Sequence, residues 1–337
     1  MTITYVATSV ADASGLDPVQ CYTVTAAGKI APYAREGVGL NYINTSGGFD
    51  VPDLAFNFPL MTAGWISFYM YSGDVTANNW GHFMWALRNF TNNSGALVAG
   101  LFKNKNSLSY RMYQATGGTA NTYVTQTGIS AALQRWDIRF KVGVSDGELD
   151  VYIDGTLVYS VTGVAFYAGS TARGIDSITF QREGGAFTID RVISGLIVST
   201  SDTRSMNLAM DYPSGAGAHS EWMGGYADLD GIGTDAATSA YATATGQRLS
   251  VAFPALNTNL AGMTPVAVAV KASGPASQKG IVGTARVSGT DYTIGAISTA
   301  GVKPALGCAV QTLNPATGLA WTQTEINAAE FGLQSTE

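Results

Sequence analysis

The sequence has little charge. Aspartate, glutamate, lysine and arginine make up 12% of the 337 residues, which is about half of the ~25% that is usual in soluble domains. The net charge is −6, and the basic residues form no run longer than Lys103-Asn104-Lys105. Phosphate binding needs a field of lysine and arginine, so this composition argues against a nucleic-acid-binding surface.

Long apolar runs and a basic N-terminal segment are also missing. The longest apolar stretch, residues 96–102, is far shorter than the roughly 20 residues of a membrane-spanning helix. The first basic residue is Lys29, and residues 1–20 contain no continuous apolar core. We therefore expect no secretory signal peptide and no membrane insertion, with the protein made in a cytoplasm.

Cysteine and histidine, the residues of many metal and nucleophile sites, are scarce. Cys21 and Cys308 fall in different predicted domains, and we expect no disulfide between them. His82 alternates with apolar residues on a predicted strand, while His219 lies in a Gly/Ala/Ser-rich loop. Two such histidines do not predict a zinc site or a Ser-His-Asp triad. The sequence therefore predicts no cofactor, no metal and no catalytic residue.

One acidic segment resembles a calcium-binding loop at first sight. Its aspartates are Asp228, Asp230 and Asp235, interleaved with glycines. The EF-hand pattern fails, because Ile232 and Ser239 stand at positions five and twelve. We interpret the segment as a turn cluster, and the sequence leaves open whether it binds calcium.

Glycine is abundant, with 40 residues, and strand patterns dominate the chain. The clearest pattern spans residues 136–161, where apolar and polar residues alternate in two consecutive runs. This period of two predicts strands with one dry and one wet face. Asp146-Gly147 and Asp154-Gly155 supply turn residues between the strands. The sequence therefore predicts a three-stranded antiparallel meander that a second sheet must cover.

These residues resemble a known fold. Trp136 opening a strand, followed by Asp146-Gly147 and by Val151-Tyr152-Ile153-Asp154-Gly155, resembles the core of concanavalin A-like jelly rolls of the laminin-G or pentraxin kind. Residues 187–192 look like the strand that such domains place near their end. The resemblance covers about residues 20–200 and implies an all-β jelly-roll sandwich, without a function. Residues 1–19 are predicted to be an N-terminal arm or edge strand.

A second domain is predicted after the polar run at residues 199–203. Residues 205–337 contain predicted strands at 206–210 and 248–253, an apolar strand at 266–270 covered on both faces, and a hairpin at 281–297. The capping box Thr322-x-x-Glu325 predicts one short C-terminal helix that Gly332 ends. This part of the chain is predicted to be a smaller β-sandwich.

Two segments of this domain resemble a C-terminal β-module of tailed-bacteriophage structural proteins. They are Trp222-Met-Gly-Gly-Tyr226 with the following aspartates, and residues 314–332, which begin Asn-Pro-Ala-Thr-Gly. Such modules occur in tail fibres and particle-surface proteins. The resemblance implies a virion protein and brings no catalytic residues with it.

Candidate site residues are few. Glu148 and Asp150 are the best pair of acids for a glycan hydrolase, but they point away from the apolar face of their strand. We interpret them as a solvated face whose loss would cost little stability. Exposed aromatic residues stack on sugars, so the weak candidates for a glycan site lie near loops or on the wet side of strands. These candidates are Trp80, Tyr110, Tyr113 and Tyr123.

Together these patterns predict a non-catalytic structural protein of a tailed phage particle. It would display a surface for attachment, as a tail fibre that recognises a host glycan or, alternatively, as a capsid-decoration or head-fibre protein. The competing class is a secreted carbohydrate-binding protein or glycanase. Expected partners are other virion proteins, a host surface glycan and further copies of the chain, as a homotrimer, because low charge with many Tyr, Trp and Met residues is typical of buried interfaces.

Overall fold

The computed structural model describes residues 3–7, 21–24, 28–29, 31–32, 37–40, 54–72, 82–91, 96–103, 110–116, 120–121, 124–126, 129–130, 132–166, 174–180, 191–209, 211–229, 240–255, 263–274, 280–297 and 305–336. It divides into two compact units. One is Ala7–Leu208, and the other is Ala209–Glu337 together with Met1–Val6.

The predicted fold class is confirmed: the chain is all-β, with a jelly-roll sandwich followed by a smaller β-structure with one short helix. The strands up to residue 199 are β1 (Ile3–Ala7), β2 (Cys21–Val24), β3 (Gly37–Leu40), β4 (Leu54–Met61), β5 (Ala63–Tyr71), β6 (His82–Asn89), β7 (Ala96–Lys103), β8 (Tyr110–Thr116), β9 (Ala120–Asn121), β10 (Val124–Gln126), β11 (Leu133–Lys141), β12 (Gly143–Ile153), β13 (Thr156–Phe166), β14 (Ile175–Phe180) and β15 (Arg191–Ser199).

Two sheets form the sandwich of the first unit. The meander sheet has the strand order β13-β12-β11-β5-β15-β3-β2, and the opposing sheet has the order β10-β8-β7-β6-β14-β4. Aromatic contacts join the two sheets in the core, with Phe68 5.2 Å from Phe180 and Trp85 6.3 Å from Trp136 between ring centroids. All four side chains are fully buried. These large side chains point into the core, so the residues that alternate with them lie on the outer face of each sheet.

The predicted meander is confirmed, with one correction. β11 pairs antiparallel with β12, and β12 pairs with β13. Asp154 and Gly155 have φ of 48° and 77°, as a tight hairpin turn requires. Asp146-Gly147 does not form such a turn. Gly147 has no positive φ, and the last pair of the β11–β12 ladder before the connection is Lys141–Glu148.

The second unit contains a five-stranded sheet, with order β16-β17-β22-β19-β20, and a separate pair, β18-β21. The elements are β16 (Gly215–Ser220), a 3-10 turn at Tyr226–Asp228, β17 (Arg248–Ala252), β18 (Val268–Gly274), β19 (Ile281–Val287), β20 (Thr290–Ile297), β21 (Ala305–Gln311), α1 (Gln323–Ala328) and β22 (Glu330–Ser335). The hairpin β19–β20 is as predicted and turns at Ser288-Gly289, with φ of 51° and 81°.

Three predictions for this unit are wrong in detail. The capping box of Thr322 and Glu325 does start α1, but the helix ends at Ala328, and Gly332 lies inside strand β22 rather than at a helix end. The segment 206–210 contains no described strand. The strand predicted at 266–270 begins only at Val268, and it is not covered on both faces, because Val266 is 40% exposed and residues 267–270 are only partly buried.

Within the described residues, no helix is long or apolar enough to cross a lipid bilayer.

Candidate functional site

The outer face of the meander sheet carries an ordered set of polar and aromatic side chains. Its alternate residues point away from the sandwich core, because their neighbours in sequence are the buried residues of β5, β11 and β12. Strand register places these side chains in rows across the sheet. The residues of this outer face are Trp65, Ser67, Tyr69, Arg135, Asp137, Arg139, Glu148, Asp150 and Tyr152.

A segment that follows β15, residues 200–208, packs onto part of this outer face and is called the strap here. Arg135 donates from Nη1 to the Met206 carbonyl and from Nη2 to the Thr203 carbonyl, at 2.6 Å each. Asp137, 1% exposed, accepts from Arg135 at 2.9 Å and from the Ser67 hydroxyl, which also bonds to Thr203. The strap is therefore held by hydrogen bonds from the buried Arg135–Asp137 ion pair and from Ser67 to its backbone carbonyls and to the Thr203 hydroxyl.

Arg135 keeps its charge in this buried position. Burial alone would lower the pKa of the guanidinium, but the hydrogen bond and charge of Asp137 outweigh it, and the pKa is raised. The Arg135 guanidinium is therefore charged near neutral pH, and it donates to the strap in that form.

Beside the anchor lies an aromatic pair. The rings of Trp65 and Tyr152 are 6.1 Å apart between centroids and 25° from parallel. Arg204 of the strap lies over both, 5.0 Å from the Trp65 centroid and 4.7 Å from that of Tyr152, as in cation–π contacts. Its partner Asp202 lies 2.6 Å away, and the hydrogen bonds from Arg204 lower the pKa of Asp202. Both rings remain partly exposed beside the guanidinium.

A charged cluster borders the aromatic pair: in the strand register Arg139 lies opposite Trp65, and Asp150 lies opposite Arg139. Arg139 bridges two carboxylates, with 2.6 Å from Nη2 to Glu148 Oε2 and 3.0 Å from Nη1 to Asp150 Oδ2. The Ser160 hydroxyl donates to the other oxygen of Asp150 at 2.7 Å. The Asp150 side chain is only 10% exposed, and that of Glu148 is 24% exposed. The interpretation of these acids as a freely solvated face is therefore wrong, although they do point away from the core.

This arrangement presents hydrogen-bond donors and acceptors next to two partly exposed aromatic rings. The ion pairs restrict these side chains, so a ligand has less disorder to remove on binding. Arg139 and Arg204 can donate, while Glu148 and Asp202 can accept. The combination suits a ligand with an apolar face and hydroxyl groups at its edge.

The structure does not test the four aromatic candidates. Trp80 and Tyr123 lie outside the described residues. Tyr110 and Tyr113 lie on β8, where they pair with Lys103 and Gly100 of β7. All four stay predictions. Trp65 and Tyr152 were missed, although the alternation of Trp65, Ser67, Tyr69 and Tyr71 along β5 was a readable signal for aromatic residues on its outer side.

A second polar cluster lies in the C-terminal unit. Asp291 accepts from Arg286 at 2.8 Å, from Arg248 at 2.7 Å and lies 2.9 Å from His219 Nε2. Burial alone would raise the pKa of Asp291, but its bonds to Arg286 and His219 outweigh it and the pKa is lowered. The prediction that His219 lies in a loop is wrong, because it lies on strand β16. The cluster consists of mutually satisfied pairs across a sheet face, which indicates a structural role.

The acidic segment after Trp222 forms a turn where it is described. Asp228 accepts the Gly225 backbone N–H at 2.8 Å and caps the 3-10 turn, while Asp230 and Asp235 lie outside the described residues. In the part of the chain that the structure describes, no three His, Cys, Asp or Glu side chains come together as metal ligands would.

No protein-family model and no curated relative matches the chain. Solved structures similar to it include the alginate lyase Aly36B, with 11% identity and a TM-score of 0.41, covering 62% of this chain and 95% of that one. A carbohydrate esterase of the Shiga toxin-encoding bacteriophage phi24B has 13% identity and a TM-score of 0.37, covering 59% and 99%. The alginate lyase PA1167 of Pseudomonas aeruginosa has 13% identity and a TM-score of 0.37, covering 53% and 86%. At these identities the likeness concerns the fold.

These structures correct one prediction. The sequence was interpreted as that of a protein that is not an enzyme, and the interpretation is contradicted because the solved structures similar to the chain include alginate lyases and a carbohydrate esterase. The jelly-roll part of the resemblance is supported, while its phage part is not.

Proposed function

We propose that the chain is a carbohydrate-binding protein, and that the outer face of the meander sheet holds the sugar. The observation that carries this proposal is the partly exposed Trp65–Tyr152 pair, bordered by the Arg139–Glu148–Asp150 cluster and by Arg204. This set is called the sugar face below.

The chemistry of a pyranose matches this set. Its C–H groups form an apolar surface that packs on an aromatic ring, and its hydroxyls both donate and accept hydrogen bonds. Glu148 accepts from a hydroxyl while Arg139 donates to its neighbour, and their mutual ion pair holds both groups in place. Asp202 and Arg204 offer the same combination on the strap side.

Replacing Trp65 with alanine is expected to weaken glycan binding about tenfold or more, equal to about 1.4 kcal/mol. The side chain lies outside the core, so the fold should be kept, as thermal unfolding will show. The matched control is Tyr241→Ala, which removes an aromatic side chain that is 55% exposed in the other unit. Affinity is measured by calorimetric titration of the full chain with glycans that bind on an array. Equal losses in both variants, or no glycan bound at all, would refute the proposal.

A second candidate function is glycan cleavage at the same face. The observation that favours it is that Glu148 and Asp150 flank one guanidinium beside the aromatic pair, since glycoside hydrolysis uses two carboxylates near one bond. If the pair is catalytic, Glu148→Gln will abolish release of reducing ends while leaving binding within about threefold, because glutamine keeps the shape and an acceptor oxygen. Wild-type protein that binds a glycan for days without shortening it excludes this second candidate.

We also propose that the protein belongs to a phage particle with other virion proteins, because its C-terminal segments resemble phage modules, and that it forms a homotrimer, because low charge with many Tyr, Trp and Met residues is typical of buried interfaces. Immunogold labelling of particles tests the location, and particles that bind no antibody would refute it.

A further inference from the structure

The sugar face and its border carry one carboxylate more than they carry cations. Around the Trp65–Tyr152 pair, the described cations are Arg139, Lys141 and Arg204, and the described carboxylates are Asp146, Glu148, Asp150 and Asp202. Three cations thus face four carboxylates. The Arg135–Asp137 pair under the strap adds no net charge, and Lys29 lies beside Tyr71 at the far end of β5.

No cation of this set is left to receive an acidic ligand. Lys141 lies 2.7 Å from Asp146, Arg204 lies 2.6 Å from Asp202, and Arg139 already holds two carboxylates. A uronate or sulfate that approached Arg139 would have to displace Glu148 or share the guanidinium with it. In either case it would meet like charge at contact distance, which costs binding energy.

Neutral hydroxyls meet no such penalty. A hydroxyl donates to a carboxylate and accepts from a guanidinium, so it can bridge the partners of an existing ion pair without breaking it. Ion pairs on the sugar face therefore act as combined donors and acceptors for a neutral ligand. An anionic ligand cannot use these pairs in the same way, because each cation already holds a carboxylate.

We infer that the glycan bound by this protein is a neutral polysaccharide, and that the carboxylates of the sugar face select against uronate and sulfate groups. The inference rests on the proposed function and adds to it the chemical class of ligand.

The experiment compares polymers that share a backbone and differ in charge. The full chain is run by affinity electrophoresis against hydroxyethyl and carboxymethyl cellulose, and against dextran and dextran sulfate, at 10 and 200 mM salt. We expect binding to at least one neutral polymer, at least tenfold tighter than to its acidic counterpart. This binding should be lost in Trp65→Ala and unchanged by salt, since no net charge is neutralised.

The variant Glu148→Gln removes one of the four carboxylates. It should reduce the difference in affinity between a neutral polymer and its acidic counterpart, chiefly because the acidic polymer binds more tightly. Tighter binding of an acidic polymer by the wild type, weakened by salt and lost in Trp65→Ala, would overturn the inference and leave the proposed function standing. Absence of any Trp65-dependent binding would refute the proposed function, and the inference with it.

Discussion

Replacing Asp137 with alanine is expected to lower the free energy of unfolding of the first unit by about 3–5 kcal/mol, the usual cost of breaking a buried ion pair. The change leaves Arg135, whose side chain is 12% exposed, without its carboxylate, and it removes the acceptor of the Ser67 hydroxyl. The strap loses its anchor at the same time, because Thr203 bonds to both Ser67 and Arg135. Hydrogen exchange of the β11 amides across a urea series measures the effect.

The control for this prediction is an exposed ion pair in the same strap. Asp202 and Arg204 have side chains that are 45% and 42% exposed, so Asp202→Ala should cost no more than about 1 kcal/mol. Equal costs for the two variants would contradict the assignment of Arg135 and Asp137 as the anchor of the strap.

Replacing Gly332 with alanine is expected to destabilise the C-terminal unit by about 3 kcal/mol or more. A Cβ at this position would lie 2.0 Å from the Leu249 carbonyl oxygen and 2.9 Å from Ser250 Cα. Both atoms belong to the backbone of β17, the neighbouring strand, so no side-chain rotation can relieve the clash. The strands β17 and β22 would have to separate, which thermal unfolding will report as a lower melting temperature.

Gly225→Ala is the matched control in the same unit. Gly225 has φ of −155°, an extended conformation that alanine adopts, and a Cβ there would meet no heavy atom within 4 Å. We expect its melting temperature to stay within about 2 °C of the wild type. A similar drop in melting temperature in both variants would contradict the assignment of the effect to the close contact between Gly332 and β17.

What could be predicted from the sequence was local. The meander follows from alternation and from Asp154-Gly155, which act within a few residues of each other. The start of α1 follows from Thr322 and Glu325, whose capping box is complete in the structure. Its end could not be inferred, because apolar Phe331 and Gly332 fit a helix end and a strand equally well until the partner strand β17 is known.

The sugar face depends on contacts between distant residues. The bond from Arg135 to the Thr203 carbonyl spans 68 residues, and no local pattern marks residues 200–208 as a segment that packs onto a sheet. The burial of Glu148 and Asp150 depends on Arg139 and Ser160 of neighbouring strands, which the local sequence around the two acids does not indicate. The strand that contains Trp65 is marked by its inward-pointing neighbours, while the pairing of Trp65 with Tyr152 joins two strands that are far apart in sequence.

A crystal structure of the full chain with a glycan that it binds tests the central claim most directly. The account predicts a sugar ring within about 4 Å of Trp65 or Tyr152, with a hydroxyl hydrogen-bonded to Glu148 or Arg139. A sugar seated instead on the opposing sheet, against Tyr110 or Tyr113 of β8, with the outer face of the meander sheet empty, would contradict it.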